Sequence, residues 1–129
     1  MNQRIKILFL IIVLLQGLHS CEEYIGKLWE NFPPATFLCG LVSDNLMTGF
    51  IIINIALFVL GILAWLIPIR KEYSWGKVLI WFWILIELMN GIGHPIWTIM
   101  QKGYTPGVIT APFLLITAIA LLKEQLNTN

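Results

Sequence analysis

The chain alternates between long apolar stretches and short polar connections. Four stretches are almost wholly apolar, at about residues 5–25, 47–67, 78–100 and 106–122. A transmembrane helix needs roughly 20 consecutive apolar residues, because it must cross about 30 Å of hydrocarbon. Backbone groups in lipid must be hydrogen-bonded within their own segment, which favours helices. The pattern predicts one all-α domain, residues 1–129, folded as an integral membrane bundle of four transmembrane helices.

Prolines refine the expected ends of these helices. Pro106 suits the first turn of the fourth helix, where a missing N–H costs nothing. In the connection between the first and second helices, at about residues 28–46, Pro33 and Pro34 are expected to interrupt any helix.

Basic residues are distributed unequally between the two ends of the predicted helices. With four crossings, six of the eight lysines and arginines fall on one side of the membrane. The positive-inside rule then predicts that both termini are cytoplasmic and that the 28–46 connection is external. The residues on the cytoplasmic side are Arg4, Lys6, Arg70, Lys71, Lys77 and Lys123, and those on the other side are Lys27 and Lys102.

Composition agrees with a multi-pass protein, which we expect in the cell membrane. The chain is 58% hydrophobic and 12% charged, against about 25% charged residues in soluble domains. Membrane lipid is therefore the expected partner. A net charge of +1 gives no indication of a nucleic-acid partner.

The N-terminal segment allows a second interpretation. Residues 1–20 have a basic start and an apolar middle, as a secretory signal has, and residues 18–21 (LHSC) resemble a lipoprotein cleavage box. Cleavage there would leave three spans and a lipid on Cys21. We expect the segment to be retained, because His19 belongs to the polar group described next.

Polar and ionisable side chains recur at one depth inside the predicted membrane segments. His19, Glu22 and Glu23 have helical i, i+3, i+4 spacing, and Glu87, Asn90 and His94 form one stripe of the third helix. At 1.5 Å per residue, the two groups lie at similar heights in the outer half of the bilayer. Charged groups there cost roughly 2.5–3.5 kcal/mol each and usually have a function.

These residues suit two kinds of chemistry. Imidazoles and carboxylates bind divalent metals such as zinc, manganese or iron, and they also serve as general acids and bases. A structural alternative is a buried hydrogen-bond network that holds the helices together. The candidate catalytic residues are His19, Glu22, Glu23, Asn90 and His94, and the candidate metal ligands are His19, Glu22, Glu23 and His94.

Three short motifs resemble those of the HXXEE domain family, a group of small multi-pass membrane proteins. Residues 19–23 (HSCEE) match the H-x-x-E-E signature, residues 90–94 (NGIGH) are similar to an N-x-x-x-H element, and residues 104–111 (YTPGVITA) to a Y-x-P-G-x-x-T-A element. The resemblance implies a membrane domain of unassigned function with His, Glu and Asn in a catalytic role.

The leading hypothesis for function is a membrane-embedded enzyme that acts on an apolar or lipid-like substrate, with a divalent metal or by acid–base chemistry. The alternatives are a small transporter or ligand-binding protein, or a structural partner in a membrane complex. A through-path for protons finds little support in the third span, since residues 80–86 (IWFWILI) are wholly apolar or aromatic.

Overall fold

A computed structural model describes residues 1–128, and the described chain is helical with no strand. Six α-helices follow one another, and a π-helical turn, Trp65–Ile69, extends the fourth. Their bounds are α1 Gln3–Ile25, α2 Leu28–Asn31, α3 Pro33–Val42, α4 Leu46–Ala64, α5 Gly76–Gln101 and α6 Ala111–Thr128.

Three of these helices are long and apolar enough to cross a membrane. They are α1, α4 with its π-helical extension, and α5. Their outward side chains are largely hydrophobic, as lipid contact requires. Length and composition therefore support a membrane protein with three candidate spans, one fewer than the sequence predicted.

The fourth predicted helix differs most from expectation. It begins at Ala111 rather than at Pro106, because residues 106–110 form turns and Gly107 adopts a φ of +95°. It nevertheless runs alongside α1 in the opposite direction. Thr110 contacts His19 near one end of α1, and Glu124 contacts Arg4 near the other.

The 26–45 connection is more ordered than its prolines suggested. Pro33 and Pro34 occupy the first turn of α3, a position that tolerates a missing N–H, so they begin a helix rather than prevent one. The break falls at Phe32, whose backbone is extended. The hydroxyl of Thr36 donates to the carbonyl of Trp29 at 2.6 Å and ties the two short helices together.

Close side-chain packing holds the long helices together. Lipid is as apolar as the bundle interior, so van der Waals fit and hydrogen bonds matter more than burial from water. Gly61 of α4 shows the fit, since a Cβ there would lie 2.8 Å from Val13 and 2.9 Å from Trp83. The same core includes Phe9, whose ring packs edge-on against Trp83.

Candidate metal centre

Two histidines and one glutamate meet in the buried interior between α1 and α5. The Nε2 atoms of His19 and His94 are 3.2 Å apart. Oε1 of Glu23 lies 3.3 Å from the first nitrogen and 3.2 Å from the second. The side chains of His19, Glu23 and His94 are 0%, 8% and 9% exposed. Three potential ligand atoms thus form a nearly equilateral triangle away from bulk solvent; we call these three residues the triad.

Thr110 fixes the orientation of His19. Its hydroxyl donates to Oε2 of Glu22, and Nδ1 of His19 lies 2.7 Å from the hydroxyl oxygen, Oγ1 of Thr110. A hydroxyl has one proton to give, so its lone pair is free to accept from an Nδ1–H. The hydrogen-bond pattern therefore assigns the proton of His19 to Nδ1 and leaves the Nε2 lone pair for the triad.

Glu22 lies outside the triad and organises the loop before α6. Its carboxylate accepts from the backbone N–H groups of Ile109 and Thr110, each at 2.9 Å, and from the hydroxyl of Tyr104 at 3.0 Å. These contacts use both carboxylate oxygens. The two adjacent glutamates therefore differ in placement: Glu23 faces the imidazoles, while Glu22 binds the loop that covers them.

The loop closes over the imidazoles at Gly107. A Cβ at this position would lie 2.5 Å from Cε1 of His94 and 2.8 Å from Cε1 of His19. Only glycine fits, because the positive φ and the contact both exclude a side chain. Next to it, the ring of Pro106 packs so closely on Gly26 that a Cβ there would lie 2.5 Å away. We call residues 104–110 the covering loop.

A second polar group crosses the bundle beside the triad. Asn90 donates to Oε2 of Glu87 at 3.1 Å. With its amide nitrogen turned toward the carboxylate, Gln16 lies 2.9 and 3.0 Å from the two oxygens of Glu87. The chain of contacts continues to Ser20, whose Oγ lies 3.3 Å from the side-chain amide of Gln16 and 2.7 Å from Oδ1 of Asn54. Asn90 therefore contacts this amide network and not the triad.

Groups outside the spans respond to the charge of the two glutamates. Burial and the hydrogen bond to Glu22 raise the pKa of the Tyr104 hydroxyl. Burial, with a further contribution from the charge of Glu23, raises the pKa of the Cys39 thiol. The raised pKa values favour the neutral forms of both groups, and the neutral Tyr104 hydroxyl is the form that donates to Glu22.

The triad matches the donor set of a divalent transition metal. Metal–ligand distances of about 2.1 Å imply ligand–ligand distances of roughly 3.4 Å in a tetrahedron and 3.0 Å in an octahedron. The observed separations of 3.2–3.3 Å lie between these values. Two histidines and a carboxylate on one face of a metal are a common catalytic arrangement. The partner of His19 Nδ1 also fits, because metal-bound histidines usually donate their other N–H.

A large apolar cavity is separate from the triad. This apolar groove of about 700 Å³ lies between α1 and α4 and is lined by Leu18 and Cys21, among others. Cys21 is two residues from His19 and therefore points to a different face of α1. A second cavity, of about 510 Å³, lies at the end of α5 against the covering loop, with Trp97 and Pro106 in its wall.

The predicted site residues thus divide into three sets. The structure brings His19, Glu23 and His94 together, directs Glu22 to the covering loop, and places Asn90 in the amide network. Sequence reasoning missed Gln16, although its position three residues before His19 puts it on the same side of α1.

The fold and the site together define the class of this protein: it is an all-helical membrane protein with a buried His/Glu triad. The chain belongs to the family described as "Protein of unknown function with HXXEE motif", whose model matches residues 8–121, and the resemblance seen in the sequence is confirmed. No curated protein and no solved structure gives a significant match to the chain.

Proposed function

We propose that this protein is a membrane-embedded, metal-dependent enzyme acting on an apolar or lipid-like substrate. The observation that carries the proposal is the triangle of His19 Nε2, His94 Nε2 and Glu23 Oε1, with sides of 3.2–3.3 Å. At this spacing the three atoms present one carboxylate oxygen and two imidazole nitrogens to a common point, as the ligands of one cation do. A divalent metal bound by the three would supply Lewis acidity.

The surroundings of the triad support an apolar substrate. Its ligands come from α1 and α5, which are both candidate membrane spans. The outer faces of these two helices carry exposed apolar side chains, such as Leu18, Ile92 and Ile96. A buried site among such helices is reached from lipid or from the membrane surface more readily than from bulk water. A water-soluble substrate would have no advantage there.

We also propose that α6 is a fourth crossing. Its two ends contact opposite ends of α1, through Thr110 and Glu124, so it extends along the same thickness as an apolar span. Under that arrangement both termini lie on the side that carries most of the basic residues, which is the cytoplasmic side.

Elemental analysis of the detergent-purified protein tests the metal. We expect close to one equivalent of zinc, manganese or iron in the natural sequence and a loss of at least tenfold in Glu23→Gln and His94→Ala. Glu87→Gln is the matched control, since Glu87 is buried at 0% exposure outside the triad and should leave metal content unchanged.

Melting temperature must be measured on the same samples. Loss of metal with folded protein supports a binding site. If no metal is found under any growth condition, and all three variants lower the melting temperature alike, the polar groups are structural and the enzyme proposal is wrong.

A further inference from the structure

The cavity of about 510 Å³ at the C-terminal end of α5 has a wall that combines polar and aromatic side chains. It is formed by amides, hydroxyls and aromatic rings, and none of its lining residues carries a formal charge. The side chains that characterise it are Asn31, Trp97, Gln101, Tyr104 and Thr105. Its size is within the range of small-molecule sites, about 300–1,000 Å³.

Only part of this polar wall is used within the protein. Asn31 donates to the carbonyls of Gly26 and Lys27, at 3.1 and 3.0 Å, which leaves its side-chain oxygen as an acceptor. In the part of the chain that the structure describes, the side chain of Gln101 makes no hydrogen bond. The cavity therefore offers both acceptors and donors to a ligand.

The cavity is next to the triad but separated from it by one segment of chain. Pro106 lines the cavity, and the following residue, Gly107, contacts both imidazoles. On the other side, the ring of Trp97 lies 6.2 Å from that of His94, centroid to centroid. A molecule held in the cavity thus lies beside the triad, with the covering loop between them.

The absence of charged side chains from the cavity wall restricts the kind of ligand that the cavity can bind. The nearest basic side chains, Lys27 and Lys102, are exposed outside the lining, and Lys27 is 3.8 Å from Glu30. An anionic group in the cavity would meet no cation in its wall and would lie near the carboxylate of Glu22, which Tyr104 contacts. Amide and hydroxyl groups beside aromatic rings instead suit an uncharged group rich in hydroxyls.

We propose that this cavity binds the uncharged, hydroxyl-bearing headgroup of a lipid-like molecule, such as a glycerol or sugar headgroup. The inference rests on the proposed function only in naming that molecule as the substrate; the binding itself does not require the metal. Gln101 supplies a donor and an acceptor, and Trp97 supplies an aromatic face.

Ligand-dependent melting of the full chain tests the proposal. The probes share one octyl chain and differ in headgroup: monooctylglycerol and octyl glucoside are uncharged, and octyl phosphate is anionic. The variant is Gln101→Leu, which removes no hydrogen bond within the described part of the chain. The matched control is Gln3→Leu, which replaces an exposed glutamine at the N-terminal end of α1, away from the cavity.

The two uncharged probes should stabilise the natural protein and Gln3→Leu at concentrations about three- to tenfold lower than they stabilise Gln101→Leu, as expected for one lost hydrogen bond. Octyl phosphate should show no difference between these proteins. Equal response of Gln101→Leu and Gln3→Leu to the uncharged probes, or stronger stabilisation by octyl phosphate, would overturn the proposal.

The same measurement on metal-depleted protein and on His94→Ala separates the two proposals. Headgroup binding that persists there, together with a protein that never contains metal, leaves this inference standing and removes the metal. Normal metal content without any headgroup dependence removes this inference alone.

Discussion

His19 and Thr110, separated by 91 positions in the sequence, meet with 2.7 Å between Nδ1 and Oγ1. The contact joins the first helix of the protein to the start of the last. Because the hydroxyl also donates to Glu22, a single threonine sets the tautomer of a triad histidine and the position of a partly exposed carboxylate.

Replacement of Thr110 by valine preserves shape and removes the hydroxyl. The Nδ1–H of His19 then loses its acceptor, and loss of such a partner typically weakens metal binding about 10–100-fold. Titration of purified apoprotein with zinc measures the effect. Thr117→Val is the control, since that hydroxyl bonds only to the carbonyl of Phe113 in its own helix. Equal zinc affinity in the two variants would contradict the role given to Thr110.

Gly107→Ala should push the covering loop away from the imidazoles of the triad. The new Cβ would clash with both imidazoles, and alanine at a φ of +95° is strained by about 1–3 kcal/mol. We expect a lower melting temperature and loss of metal. Gly103→Ala is the matched control within the same connection, because a Cβ there meets no atom within 4 Å. Similar behaviour of the two alanine variants would show that the covering loop is not rigid.

Glu72 should contribute to stability in a pH-dependent way. A hydrogen bond from Lys6, at 2.6 Å, and the charges of Lys6 and the N-terminus lower the pKa of this carboxyl. The folded state therefore favours the carboxylate, and the stabilisation is present above the ordinary pKa of 4.5 and is lost as the pH falls through the lowered pKa.

Melting temperatures of Glu72→Gln and the natural protein should therefore differ at pH 7 and converge in acid. The effect will be small, since Glu72 is at the surface, where solvent screens the ion pair. Glu30→Gln provides a comparison, because its 3.8 Å contact with Lys27 is longer and exposed. A difference for Glu72→Gln that grows as the pH falls would refute the sign.

Membrane topology follows from the proposed crossing by α6. Single cysteines at Ser74, Thr128 and Asp44, in a background with Cys21→Ser and Cys39→Ser, report on three exposed positions. A membrane-impermeant maleimide added to intact cells should label only the cysteine at position 44. Labelling at 128 together with 44 would show that α6 does not cross, and labelling at 74 would reverse the whole orientation.

Helical periodicity and depth along the helices were sufficient to predict that His19, Glu23 and His94 approach one another, but not where Glu22 and Asn90 make their contacts. Spacing placed His19 and Glu23 on one face of α1, and depth matched them to His94. Spacing could not distinguish Glu22 from Glu23, since both lie near the imidazole. The difference arises from the covering loop, whose backbone N–H groups capture Glu22, a contact between residues nearly 90 positions apart.

The start of α6, at Ala111 rather than at Pro106, differs from the prediction for a local reason. Pro106 suits the first turn of a helix, but Gly107 follows it, and a Pro–Gly pair is also a turn signal. Whether this pair begins a helix or forms a turn depends on which atoms pack against Gly107. Here the imidazoles of His19 and His94 pack against it, and a local sequence pattern does not reveal contacts with residues so distant in the chain.

The long sequence separation within the triad has a consequence for biosynthesis. His19 and Glu22 enter the membrane with the first helix, whereas His94 follows 75 residues after His19, and the loop that receives Glu22 comes later still. Until then, nascent chains carry unsatisfied ionisable groups in hydrocarbon, which is costly. The site is therefore complete only once the segment through Thr110 has been made, and a product truncated before it would keep unpaired polar groups among its apolar helices.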